Sequence, residues 1–152
     1  MHPARLLAAI IAASTSSVLA APPEACSLIT MDEVNTIAAG VVSKFSQRKS
    51  GNPSECGFED SRHAAVLIVR VREVQYAAEN ELQHERETLE KIYRRKVKWI
   101  EGIGESAFWL EANQTAMFRK AKRIVTVTFS RPKNANEIDT LQAARLVESR
   151  LK

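Results

Sequence analysis

The chain has 152 residues, with 22 lysines and arginines against 18 aspartates and glutamates. That length supports one domain with a core of its own. A net charge of +4 is mildly basic, too weak for the electrostatic footprint of a nucleic-acid binder.

Residues 1–20 read as a secretory signal. Arg5 gives a positive start, residues 6–13 an apolar run, and Val18-Leu19-Ala20 the small-residue pattern at which such signals are cut, after Ala20 or Ala21. The run is too short for a membrane anchor, and Ser14, Thr15, Ser16 and Ser17 interrupt it. Cys26 follows Pro23-Glu24-Ala25, which is not the context of a bacterial lipid anchor. Residues 21–152 are therefore expected to form a single α+β domain in the periplasm or outside the cell, with no transmembrane segment. In that oxidising setting the two cysteines, Cys26 and Cys56, predict one disulfide. A metal site built from them and His63 lacks the Cys-x-x-Cys spacing such sites use.

Along the chain, Thr30 with Glu33 forms a capping box, and Ile29 with Val34 a hydrophobic staple. A short helix is expected over 31–39, stopped by Gly40, with Val34, Ile37 and Ala38 inward. Residues 41–47 and 56–59 read as strands around a Gly51-Asn52-Pro53 turn. Residues 64–74 alternate clearly, with Leu67, Val69 and Val71 on one face and Ile68, Arg70 and Arg72 on the other. The period then changes to that of a helix over 77–96, with Ala78, Leu82, Leu89, Ile92 and Tyr93 on one side, interrupted by Glu85 and Arg86. Glu87 with Lys91 and Glu90 with Arg94 are spaced to pair along it.

Further strands are expected at 97–100, 106–110, 115–119 and 123–130. Val125, Val127 and Phe129 alternate with Thr126 and Thr128 in the last of these. Pro132 ends it. Asn134 with Glu137 is the expected cap of a closing helix that carries Ile138, Leu141, Ala144, Val147 and Leu151 on one face. The order predicts one twisted, mainly antiparallel sheet of about six or seven strands with helices packed on it.

Chemistry-bearing patterns are few. Gly102-Ile103-Gly104 has an aromatic, strand-like segment after it, not a helix, so it reads as a corner rather than a phosphate loop. Gly104-Glu105-Ser106-Ala107-Phe108 lacks the last glycine of a nucleophile elbow. Asp60, Ser61 and His63 crowd one turn too tightly for triad geometry. His84, with Glu81 and Glu87 nearby, lacks a second Glu-x-x-His. No catalytic residue, metal ligand or cofactor site is expected. Two basic clusters remain: Lys91, Arg94, Arg95, Lys96 and Lys98 beside Tyr93 and Trp99, and Arg119, Lys120, Lys122 and Arg123 at a hairpin turn. With Trp109 they supply the candidate interaction surface: Arg94, Arg95, Lys98, Trp99, Trp109, Arg119, Lys120, Lys122 and Arg123. Such a surface suits an acidic envelope protein or another anionic surface.

Several segments together carry a resemblance. They are Cys26-Ser27-Leu28-Ile29-Thr30 with Glu33-Val34, Cys56-Gly57-Phe58, and Val97-x-Trp99-x-Glu101-Gly102-Ile103-Gly104-Glu105-x-Ala107, followed by a hairpin and a last helix. Their order resembles small secreted bacterial proteins of unassigned function with a PsbP-like or LpqN-like α/β sandwich, some of them actinobacterial lipoproteins. The resemblance implies a non-enzymatic binding or assembly protein and carries no catalytic residues. This chain departs from it in lacking the lipid-anchor cysteine, and in lacking a glycine in its hairpin turn, Lys120-Ala121-Lys122. The function expected is an exported binding or assembly protein of the cell envelope. The alternative is an inhibitor or immunity protein against an exported enzyme such as a cell-wall hydrolase, entering its cleft with loop 48–55 or 111–115.

Overall fold

Capping chemistry sets the first helix. In the computed structural model, which describes residues 24–130 and 136–152, helix α1 spans Met31–Ile37 and its capping box is complete. The Thr30 side chain accepts from the Glu33 N–H at 3.3 Å, and the Thr30 N–H donates to Glu33 Oε2 at 2.8 Å. Ile29 and Val34 are both buried. The helix ends two residues earlier than expected because Asn35 intervenes. Its side chain accepts from the Val42 N–H and donates to the Val42 carbonyl, at 2.8 and 3.1 Å. That pair draws the chain back through left-handed Ala39 and Gly40.

Seven strands follow among the described residues: β1 (Lys44–Lys49), β2 (Ser54–Glu59), β3 (Ala65–Glu73), β4 (Lys98–Ile100), β5 (Ser106–Leu110), β6 (Thr115–Lys120) and β7 (Arg123–Phe129). Helix α2 (Ala78–Tyr93) lies between β3 and β4, and α3 (Glu137–Arg150) closes the chain. All neighbouring strands pair antiparallel. The order is β1-β2-β3-β7-β6-β5-β4, so two meanders meet along a β3–β7 seam.

Alternation decides which side chains reach which layer. Leu67, Val69 and Val71 of β3 pair with Phe129, Val127 and Val125 of β7, all buried. They face α1, α3 and a 3₁₀ turn, Ala25–Ser27, in the larger core. On the opposite face α2 covers a smaller core of Val74, Ala78, Leu82, Phe108, Met117 and Ile124. Its last turns leave that core. Ile92 is 66 % and Tyr93 38 % exposed, contrary to the expected stripe. Arg94, with φ of 51°, ends the helix in left-handed backbone. The expected cap at Asn134 and the stop at Pro132 lie outside the described residues. Asn136 caps α3 instead, accepting from the Asp139 N–H at 2.9 Å. Ile138 is exposed, not inward.

The glycine corner is a strand connection. Gly104 has φ of 56°, and a Cβ there would lie 2.2 Å from the Arg119 carbonyl oxygen. The Glu105 N–H donates to that same oxygen at 2.8 Å, while Ile103 is buried.

One ion pair joins the ends of the fold. Arg150, in the last turn of α3, donates to both carboxylate oxygens of Glu33 at 2.7 and 2.6 Å and to the Leu28 carbonyl at 3.1 Å. Chiefly because of Arg150, the Glu33 pKa falls from 4.5 to about 2. A depressed carboxylate stabilises the fold above its unfolded pKa, and that contribution is lost as pH falls through the folded value. The window here runs from about 4.5 down to about 2. Because both side chains are partly exposed, solvent screening leaves a contribution of about 1–2 kcal/mol. Glu33→Gln keeps the capping oxygen and removes the charge. It should lose that amount at pH 7 and match the parent near pH 2, read by urea unfolding at several pH values.

Candidate functional site

The two expected basic clusters lie at opposite ends of the strands, as the antiparallel register requires. Lys98 pairs with Trp109 at one end of the sheet, and Lys120 pairs with Arg123 at the other. The structure therefore does not bring the nine candidate residues onto one patch. The tryptophans are on opposite faces. Trp99 is opposite Phe108 in the register and faces the α2 side. Trp109, its neighbour across the pleat, packs against the larger core.

The hairpin cluster is engaged within the fold. Arg119 pairs with Glu105. Lys120 donates to the Glu148 carboxylate at 2.7 Å and to its carbonyl at 2.9 Å, tying β6 to α3. Arg123 donates to the Lys152 carbonyl. Lys122 contributes its own carbonyl to the Val74 N–H at 2.8 Å, and its side chain is exposed. Ala121 takes the left-handed turn position, φ 51°, where a glycine is missing.

The cluster at the end of α2 is different. The chain leaves the helix through Arg94 and doubles back through Lys96 into β4. This happens because Glu90 accepts both the Lys96 ammonium at 3.0 Å and the Val97 N–H at 3.1 Å. Those donors, Lys96 first, hold the Glu90 pKa below its ordinary value. Glu90 thus pairs with Lys96, and the expected partner Arg94 is left exposed. Arg95 pairs with Glu111 at 3.4 Å and Lys98 with Glu137 at 2.6 Å. No carboxylate lies in ion-pair reach of Lys91 or Arg94 among the described residues. An open groove of about 420 Å³ runs between the helix and the returning chain. Five cations line it, Arg86, Lys91, Arg94, Arg95 and Lys96, against Glu87 and Glu90.

Aromatic groups sit beside this groove. The Arg86 guanidinium lies 5.5 Å from the Trp99 ring centroid, and Phe108 meets the same ring edge to face at 6.1 Å. Trp99 is nonetheless 51 % exposed. The Tyr93 hydroxyl accepts from Asn113 Nδ2 at 3.4 Å. Arg86, Ile92 and Tyr93 are the members that the sequence did not single out as surface residues. The one signal for Arg86 was that it interrupts an apolar stripe: a cation at an inward position needs an aromatic or acidic neighbour.

The other constellations resolve into structure. Asp60 accepts from the Arg62 and Ala64 N–H groups at 2.8 and 2.9 Å, closing the β2–β3 turn. His63 is held at φ 63° with its ring outward, 3.9 Å from Glu59. His84 is exposed on α2. Asn52 exchanges two hydrogen bonds with the backbone of Glu73, at 2.8 and 2.9 Å, which fastens the 50–53 loop to the end of β3. Residues Glu111–Asn113 form a 3₁₀ turn next to the α2 groove. Among the described residues no group of three or more His, Cys, Asp or Glu side chains is placed to hold a metal ion, and no helix is long and apolar enough to cross a membrane. No family model, curated protein or solved structure matches this chain.

Proposed function

We propose that this is an exported, non-enzymatic binding or assembly protein of the cell envelope, and that it works through the end of α2 and β4 on an acidic partner protein. One observation carries the reading. Of the seven exposed large apolar side chains among the described residues, three fall between positions 92 and 99: Ile92, Tyr93 and Trp99. They lie next to the groove, two of whose lining cations, Lys91 and Arg94, have no acid partner among the described residues. Exposed aromatics next to unpaired cations are the composition of a protein interface rather than of a solvated helix end. The disulfide-bonded Cys26 and Cys56 support an oxidising compartment.

Interleaved carboxylates favour a protein over an anionic bilayer. Glu87, Glu90, Glu111 and Glu137 are all set among the cations of this end. A protein can complement such a mosaic group by group, whereas a uniformly negative surface repels the acids.

A photo-cross-linker at Ile92 in intact cells should capture one abundant acidic protein. The same group at Ser149, an exposed residue of α3, should not. Lys91→Glu with Arg94→Glu should reduce the capture at least about tenfold without lowering the melting temperature. Equal capture from both positions, or capture indifferent to the charge reversal, would remove this reading.

A further inference from the structure

A second surface lies at the opposite edge of the sheet from β4. β1 bonds to β2 on one side and, among the described residues, to no strand on the other. All six of its residues are exposed. Every second residue of an edge strand turns its N–H and C=O outward, where they form a template for another strand.

The side chains of β1 sort by face. Lys44 is opposite Glu59, and Lys49 is opposite Glu55. Arg48 is the extra residue of a bulge, and its side chain lies across Gly57, where a Cβ would come within 2.5 Å of Arg48 Cδ. Three cations therefore share one face. Their internal partners leave charge over. Glu59 holds Lys44 at 3.2 Å, but Glu55 is taken by Arg70 at 2.8 Å and stands 3.9 Å from Arg48. Lys49 has no carboxylate partner among the described residues. On the other face Phe45 stacks on Phe58 at 5.8 Å and is still 51 % exposed.

We propose that β1 accepts an extended acidic segment of a partner protein as an eighth strand of the sheet. Main-chain bonds supply the affinity. Acidic side chains of the incoming strand lie beside Lys44, Arg48 and Lys49, and an apolar one lies against Phe45, so the segment alternates acidic and apolar residues. The same cations exclude a second copy of this chain. Two β1 strands side by side would set like charges against each other, which is how basic edge residues prevent self-pairing. Repulsion of its own kind and attraction of an acidic strand are one device.

The probe is a synthetic ten-residue peptide alternating valine and glutamate, with a valine–lysine peptide of equal length as its control. The acidic peptide should bind by fluorescence anisotropy, weaken as salt rises, and slow hydrogen exchange at the β1 amides. Lys44→Gln with Lys49→Gln should weaken it about tenfold while leaving the melting temperature in place. Equal binding of both peptides, no binding of either, or binding that leaves the β1 amides unprotected would overturn the proposal. So would β1 protection that rises with protein concentration alone, because the occupant would then be a second copy.

Discussion

Replacing both cysteines by alanine should lower the unfolding free energy by about 3–4 kcal/mol, the chain-entropy value for a closed loop of about thirty residues. Cys26 and Cys56 are bonded across a sequence separation of 30. Cys56 is buried in the larger core, and Cys26 packs against it. The bond fixes the 3₁₀ turn on β2, where the Ala25 N–H also donates to Ser54 Oγ at 2.8 Å. Alanine is the right replacement because a serine hydroxyl at position 56 would be buried without water. Urea unfolding with and without dithiothreitol is the measurement. The parent should lose stability on reduction and approach the double variant, which should ignore the reductant. Intact mass of the oxidised parent should be lighter by the two thiol hydrogens. A parent that unfolds identically in both conditions would contradict the account.

Gly104→Ala should cost about 2–4 kcal/mol, combining left-handed backbone strain with a core clash. The added carbon meets a backbone carbonyl, Arg119 O at 2.2 Å, and the Phe118 ring at 3.1 Å. Neither yields without moving β6, where Phe118 is buried. Gly102 is the internal control. It too has positive φ, 74°, but open space around it. Gly102→Ala should therefore cost only the backbone strain, about 1 kcal/mol. Thermal and urea unfolding of the two variants side by side would separate clash from strain. Equal losses would mean that the close approach at Gly104 is not what the corner requires.

Local signals were readable where one interaction dominates. Thr30 and Glu33 announce a helix start, and the alternation in β3 and β7 places Leu67, Val69, Val125 and Val127 inward with no tertiary knowledge. The misreadings share a cause, which is that a distant group decides. Asn35 shortens α1 through Val42. Glu90 takes Lys96 rather than Arg94 because the chain folds back after the helix. Ile92, Tyr93 and Ile138 carry apolar periodicity into turns that overhang the core, and periodicity cannot see where a sheet stops. Trp99, Arg94 and Arg95 of the candidate site were legible as a basic, aromatic stretch. Arg86 was not, since its stacking depends on β4 lying under the helix. Separation of the two basic clusters was equally hidden, because it follows from the register of β4, β5 and β6.

That strand order has a consequence for how the molecule comes into being. Each meander, β1 to β3 and β4 to β7, can zip up from neighbours in the chain, but the seam in the middle joins residues 65–73 to residues 123–129. A nascent polypeptide emerging N-terminus first holds the valine-rich flank of β3 open until β7, the last of the seven strands, is made. Late closure of distant partners is the slow, aggregation-exposed kind of assembly. The interval before β7 arrives is therefore the one in which the free edge of β3 is open to wrong partners.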